Sequence, residues 1–230
     1  MDANEPAGSS LESLWRKWNN VLFSLIVDSQ LDRVSPDATA ALHDALSELQ
    51  SLVSAPEWQG LRQELYAWLG CFQFRVAERE KRPELRQQAA ENFERGFVSE
   101  PVPSGDFIVA ARDLDSYYAD VAGQITRSKG QKASAAYLEE KVRIESRLGQ
   151  PLPWTYLSLM CSWNNVHATA KHENSGKNWH EYITRSLYWG DKLLVLETSP
   201  WPEKKLKLFQ EDAAKLKAKI FQNKTCTVNK

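Results

Sequence analysis

A large aromatic ring recurs along this chain at Trp18, Trp68, Tyr118 and Trp163, in steps of 50, 50 and 45 residues. Three residues after each ring stands a small apolar side chain: Val21, Cys71, Val121 and Val166. Seven residues before each ring stand Leu11, Leu61, Ala111 and Tyr156. On an α-helix these offsets share one stripe. A slot that returns at such spacing predicts repeated helical hairpins, because one hairpin cannot bury both its faces and stacked neighbours complete the core. The tetrapeptide Trp-Asn-Asn-Val, at residues 18–21 and again at 163–166, falls on the slot in its first and fourth copies. Its repetition is therefore expected to be structural.

Start and stop signals divide the rest into helices. Ser9 with Glu12 forms a capping box for a helix reaching about Asp28. Ser35-Pro36-Asp37 opens a second, with Ala38, Leu42, Ala45, Leu46 and Leu49 inward. Ser54-Ala55-Pro56 opens a third, running toward Glu80, and a fourth spans Leu85 to about Phe97. After the linker Pro101 to Gly105, a fifth covers Asp106 to about Arg127, and a sixth lies between Gly130 and Gly149. The seventh runs from about Trp154 to Lys171, the eighth from about Trp179 to Leu196, and the ninth from Pro202 to about Phe221. Few glycines and almost no β-branched runs favour helix over strand. The expected architecture is all-α: four antiparallel hairpins and a C-terminal capping helix in one domain over 9–222, with disordered ends at 1–8 and 223–230.

The second hairpin, about residues 61–101, resembles a tetratricopeptide unit. Trp68-Leu69-Gly70 echoes the Leu-Gly pair of that family's first helix, and Ala89, Phe93, Gly96 and Pro101 keep the spacing of its second helix. The hairpin period of about 48 residues departs from the family's 34, and the other hairpins lack the pattern. The resemblance implies a superhelical stack of hairpins with a peptide-binding concave face.

Composition narrows the functions. The N-terminus is acidic and polar, unlike an export signal, and no apolar run approaches a membrane span. Cys71, Cys161 and Cys226 share no metal-type spacing and read as reduced, structural thiols, so a cytoplasmic location is expected. There is no glycine-rich phosphate loop, no G-x-S-x-G elbow and no C-x-x-C pair, and no cofactor is expected.

Two clusters could carry chemistry. His167, His172, Glu173 and His180 gather metal-type ligands, although His167 and His172 lie five apart and do not share a helical face. Asp113 and Asp120, seven apart, do share a face and could serve as paired carboxylates. A metal-dependent enzyme is thus one reading. A second is nucleic-acid or anionic-membrane binding through the ninth helix, where Lys204, Lys205, Lys207, Lys215, Lys217 and Lys219 surround an apolar seam. The leading expectation is a non-enzymatic protein-binding module, an immunity or adaptor protein that covers one dedicated protein partner. Nine tryptophans are more than the stripes need, and aromatic rings anchor interfaces. The candidate contacts are Trp15, Asn19, Asn20, Trp58, Trp154, Asn164, Asn165, Trp179, Tyr188 and Trp189.

Overall fold

A computed structural model describes residues 13–22, 24, 35–98, 108–172 and 179–225, with helix position alone at 108–110, 172, 179 and 223–225. The described residues are all-helical, without a strand. The chain divides into two compact units, Met1–Phe107 and Ile108–Lys230.

The first unit holds α1 (13–22), α2 (Pro36–Ser54), a 3-10 turn (Pro56–Leu61), α3 (Arg62–Arg79) and α4 (Pro83–Arg95). Ser35 starts α2 as its sequence predicts: the side-chain oxygen accepts from the Ala38 N–H at 3.3 Å, and Pro36 fills the first turn. Ala38, Leu42, Ala45 and Leu49 are buried on one stripe, with Val53 continuing it. The third helix differs from expectation. It begins at Arg62, and Pro56–Leu61 forms a tighter turn in which the Trp58 N–H bonds back to Ala55 O at 3.2 Å. Proline lacks an N–H to extend the preceding helix, and Gly60 disfavours α-helix within the turn.

Helix α3 is buried on several sides because it packs on both α2 and α4. Its seam with α4 is set by two glycines. A Cβ on Gly70 would lie 2.5 Å from the Phe93 backbone nitrogen and 2.6 Å from Ala89 O, and one on Gly96 would lie 2.5 Å from the Ala67 Cβ. The backbones can approach this closely only where Cβ is missing. Inside the same seam, the Asn92 amide donates to Gln73 Oε1 at 2.8 Å, which satisfies two buried polar groups.

The second unit comprises α5 (Ile108–Lys129), α6 (Gln131–Lys141), a 3-10 turn (Val142–Ile144), α7 (Glu145–Leu148), α8 (Pro153–His172), α9 (Trp179–Leu194) and α10 (Glu203–Thr225). Sequence predicts one helix from Gly130 to Gly149, whereas the structure tightens it after Lys141 and restarts it at Glu145. Gly149 then ends α7 in the left-handed conformation, φ 63°, which favours glycine. Helix α10 continues to Thr225, one turn past its expected end near Phe221. The hub is α8, which packs against α5, α6, α9 and α10. At the α8–α9 seam, the Ser186 hydroxyl donates to Met160 O at 2.8 Å, and Gly190 makes room for the Met160 side chain.

The four recurring rings are core. Trp18, Trp68 and Tyr118 are fully buried and Trp163 nearly so. Of the residues three positions later, Cys71 is buried and Val21, Val121 and Val166 are half-buried. Leu11, like the proposed Ser9 cap, the 1–8 segment and the Pro101–Gly105 linker, lies outside the described residues. No disulfide is present among the described residues, where Cys71 is buried and Cys161 exposed. No described helix is long and apolar enough to cross a membrane.

Candidate functional site

The site grows from the problem of starting α8. A helix N-terminus leaves backbone N–H groups without helical acceptors. Pro153 removes one of them, and two carboxylates from elsewhere in the unit take others. Asp115, on α5, accepts from the Trp154 N–H at 3.0 Å and the Thr155 N–H at 2.8 Å. It also accepts from the Thr155 hydroxyl at 2.7 Å and from the Trp201 indole N–H at 2.7 Å. Glu145, on α7, accepts from the Leu152 N–H at 2.9 Å through Oε1. Its Oε2 accepts from the Tyr156 hydroxyl at 2.6 Å and from the Lys192 ammonium at 3.1 Å.

Electrostatics follow from burial. Loss of water pushes the Asp115 carboxyl up to about 6, against the pull of its bonds from the Thr155 hydroxyl, the Trp201 indole and the two backbone N–H groups. The Tyr156 phenol is raised well above its ordinary range, first by burial and then by the adjacent Glu145 charge, with smaller contributions from Asp115 and Tyr188. Lys192 stands 4.6 Å from the Tyr156 ring centre and 5.2 Å from that of Trp189, a cation over two aromatic faces.

In front of these groups opens a shallow cleft of about 590 Å³. Val142, Arg143, Glu145, Gln150, Tyr156 and Lys192 are among the residues that line it. The carboxylates are held as multiple acceptors, so their chemistry here is positional. What the cleft offers a visitor is donor-rich: an exposed guanidinium, an ammonium and an amide.

The candidate contacts separate between the units. Trp15 and Trp58 are half-buried in the first unit, and Asn19 and Asn20 are exposed on α1. In the second, Trp154 packs at 5.5 Å on Trp201 and 5.8 Å on Phe209, with Lys205 above it. Trp189 is buried against Tyr156 at 5.6 Å, and Tyr188 lies edge-on to it at 4.9 Å. Asn164 is half-buried and Asn165 exposed. Trp179 is the first residue of α9, its side chain outside the described residues. Thus Trp189 packs on Tyr156 and under Lys192, two residues of the cleft lining, with Tyr188 against Trp189, while Trp154 lies on the α10 side.

The structure describes the histidine cluster in part. His167 is half-buried on α8 and His180 exposed on α9, while the His172 side chain and Glu173 lie outside the described residues. Among the described residues, no three His, Cys, Asp or Glu side chains converge as metal ligands. Asp113 is half-buried and Asp120 exposed. It is their neighbour Asp115 that is buried and multiply bonded, and its signal was available: it sits on the apolar register of Ala111, Leu114, Tyr118 and Ala122. Several α10 lysines are paired, Lys207 with Glu203 at 2.6 Å, Lys215 with Asp212 at 3.3 Å, and Lys217 with Asp191. Compared with protein-family models, curated proteins and solved structures, the chain matches none.

Proposed function

We propose that this chain is a non-enzymatic protein-binding module, built from tetratricopeptide-like helical hairpins with α10 as their cap, that binds one dedicated protein partner in the manner of an immunity or adaptor protein. The observation that carries this reading is the outer face of α9. Tyr188, on the helix, is 57% exposed, and Val195, in the turn that directly follows Leu194, is 73% exposed. The Val195 N–H still bonds to Asp191 O at 3.3 Å, so the two keep a helical spacing of seven with Lys192 between them. That uncovered strip adjoins a cleft whose lining carboxylate, Glu145, is already bonded within the unit. An aromatic ring beside an open, donor-lined cleft has the composition of an interface anchor.

The test is co-purification of the tagged full-length chain from its native cell extract at low and high salt. One stoichiometric partner is expected, retained at high salt and lost from a Tyr188→Asp, Val195→Asp double variant whose helicity is unchanged. A partnerless wild-type preparation would overturn the reading, as would a partner indifferent to the double variant and to Trp→Ala changes at the other candidate rings.

A further inference from the structure

The cleft also indicates what kind of partner surface it takes. We infer that it receives an acidic side chain of a partner peptide, whose neighbouring apolar residue lies on the Tyr188–Val195 strip at the C-terminal end of α9; this rests on the protein-binding reading above. The inference starts from a mismatch between the charges lining the cleft and their uses. Glu145 is the lining carboxylate, and it already accepts from the Leu152 N–H, the Tyr156 hydroxyl and Lys192. Its side chain is 13% exposed, whereas that of Lys192 is 37% exposed. Of this pair the ammonium is the group more open to solvent. An ammonium has three protons to donate, and one is engaged.

Arg143 is the second cation. It is exposed on the 3-10 turn, and its guanidinium makes no ion pair among the described residues. Gln150 is half-buried on the same lining with its amide unengaged there. By contrast, the Ser146 hydroxyl is taken up by Arg143 O at 3.2 Å. The unfilled groups are thus two cations and an amide against one saturated anion. An entering carboxylate meets a planar guanidinium fork that matches its two oxygens.

The apolar half of the specificity comes from helical geometry. Tyr188 and Lys192 lie four apart on α9, and Val195 follows three later in the turn that ends it, its N–H still bonded to Asp191 O at 3.3 Å, so ring, cation and aliphatic group keep one helical register. A peptide with an acidic residue near a large apolar one satisfies both parts. A nucleic-acid strand fits less well, since a phosphate backbone calls for a row of cations, and here an aliphatic face stands beside them.

The experiment is selection of a random-peptide display library on the immobilised full-length chain, then anisotropy titration of the enriched peptides. Enriched sequences should hold Asp or Glu within a few residues of Leu, Phe, Tyr or Trp. Their affinity should fall roughly tenfold or more in Arg143→Glu, the loss of a charge-assisted contact. Arg143→Glu replaces an exposed side chain, and circular dichroism checks that it stays folded. Tyr188→Ser should weaken the same peptides independently. Peptides without acidic residues, affinity unchanged in Arg143→Glu, an empty selection, or binding of a single-stranded RNA oligonucleotide in place of peptides would each overturn the inference. A co-purified partner that ignores Arg143→Glu but needs Tyr188 and Val195 would leave the module reading intact and remove the acidic-residue site alone.

Discussion

Trp-Asn-Asn-Val occurs once in each compact unit, and the two copies do the same thing with different surroundings. In the first unit, Trp18 is buried on α1 and its indole N–H donates to Glu48 Oε2 on α2 at 3.1 Å. In the second, Trp163 is buried on α8 and donates to Glu139 Oε1 on α6 at 3.0 Å. Each ring thus fastens its helix to another through a half-exposed carboxylate. Their companions diverge. Trp18 packs on Trp68 at 5.6 Å, and Glu48 is neutralised by Lys17 from the same helix as the tryptophan. Trp163 stacks on Tyr182 at 5.6 Å, and Arg185 of α9 both reaches Glu139 and lies 4.8 Å from the ring centre. The asparagines of the motif reach neither carboxylate: Asn19, Asn20 and Asn165 are exposed and Asn164 half-buried. Identical tetrapeptides therefore mark a packing device, and the units differ in what surrounds it. The first closes through glycine contacts between backbones, the second through the carboxylates of Asp115 and Glu145.

The strongest way to break the comparison is to delete the rings. Trp18→Ala and Trp163→Ala should each cost about 3–5 kcal/mol in urea unfolding, as large-to-small changes in a packed core do. A near-wild-type midpoint for either would mean that its ring is not part of the core in solution. Gly70→Ala should cost about 1–3 kcal/mol, because its Cβ would meet the backbone of α4 and not a side chain that can swing away. Gly190→Ala, whose new Cβ meets the flexible Met160 side chain at 2.7 Å, should cost clearly less. Equal losses would show that α4 can shift as readily as a methionine.

The second unit's polar hub should give it a pH dependence that the glycine seam cannot. Asp115 releases its proton near pH 6 when folded, whereas its ordinary value is 3.8. Between these the folded state binds more protons than the unfolded one. The contribution of Asp115 to stability is therefore greatest below about pH 4 and is lost as pH rises through 6, by on the order of 3 kcal/mol. Urea midpoints of wild type and Asp115→Asn at pH 4, 5, 6 and 7 should diverge in slope, the variant lacking this fall. Parallel profiles would remove the buried charge from the account. Trp201→Phe withdraws one donor from the carboxylate and should destabilise by about 1.5–3 kcal/mol. With that donor gone the carboxyl rises further, so the fall in stability should extend above pH 6.

How much of this could be read from the sequence depends on the range of the interaction. Ser35 and Pro36 at the start of α2, the turns at Gly130 and Gly149, and the buried stripe of α2 are local, and local chemistry decides them. The recurring rings were legible because each sits in a helical stripe. The site was less so. Glu145 and Lys192 are 47 residues apart and Asp115 and Trp201 are 86 apart, and no periodicity pairs a carboxylate with so distant a donor. Asp115 alone left a trace, a charged residue on an apolar register, whereas the seven-residue spacing of Asp113 and Asp120 corresponds to no shared metal site among the described residues. The break in the sixth helix at Val142, which positions Arg143 and Glu145 at the cleft, follows no proline or glycine and has no local marker.

The finest test concerns the two cations. Lys17 approaches Glu48 at 3.0 Å with its side chain half-exposed and, among the described residues, no ring beneath it, so Lys17→Met should change stability by no more than about 0.5 kcal/mol. Arg185 has three partners at once: Glu139 at 3.2 Å, Glu181 at 2.7 Å and the face of Trp163. Lysine retains the charge but cannot fork between two carboxylates while lying flat on a ring. Arg185→Lys should therefore cost about 0.5–1 kcal/mol, more than complete removal of the Lys17 charge. A Trp163→Leu background sharpens the point by removing the ring. If the arginine acts through it, Arg185→Lys should then cost less than in wild type, and the shortfall measures the cation–ring contact. If the cost is unchanged, Arg185 acts through its carboxylates alone, and the second copy of the motif is held just as the first is.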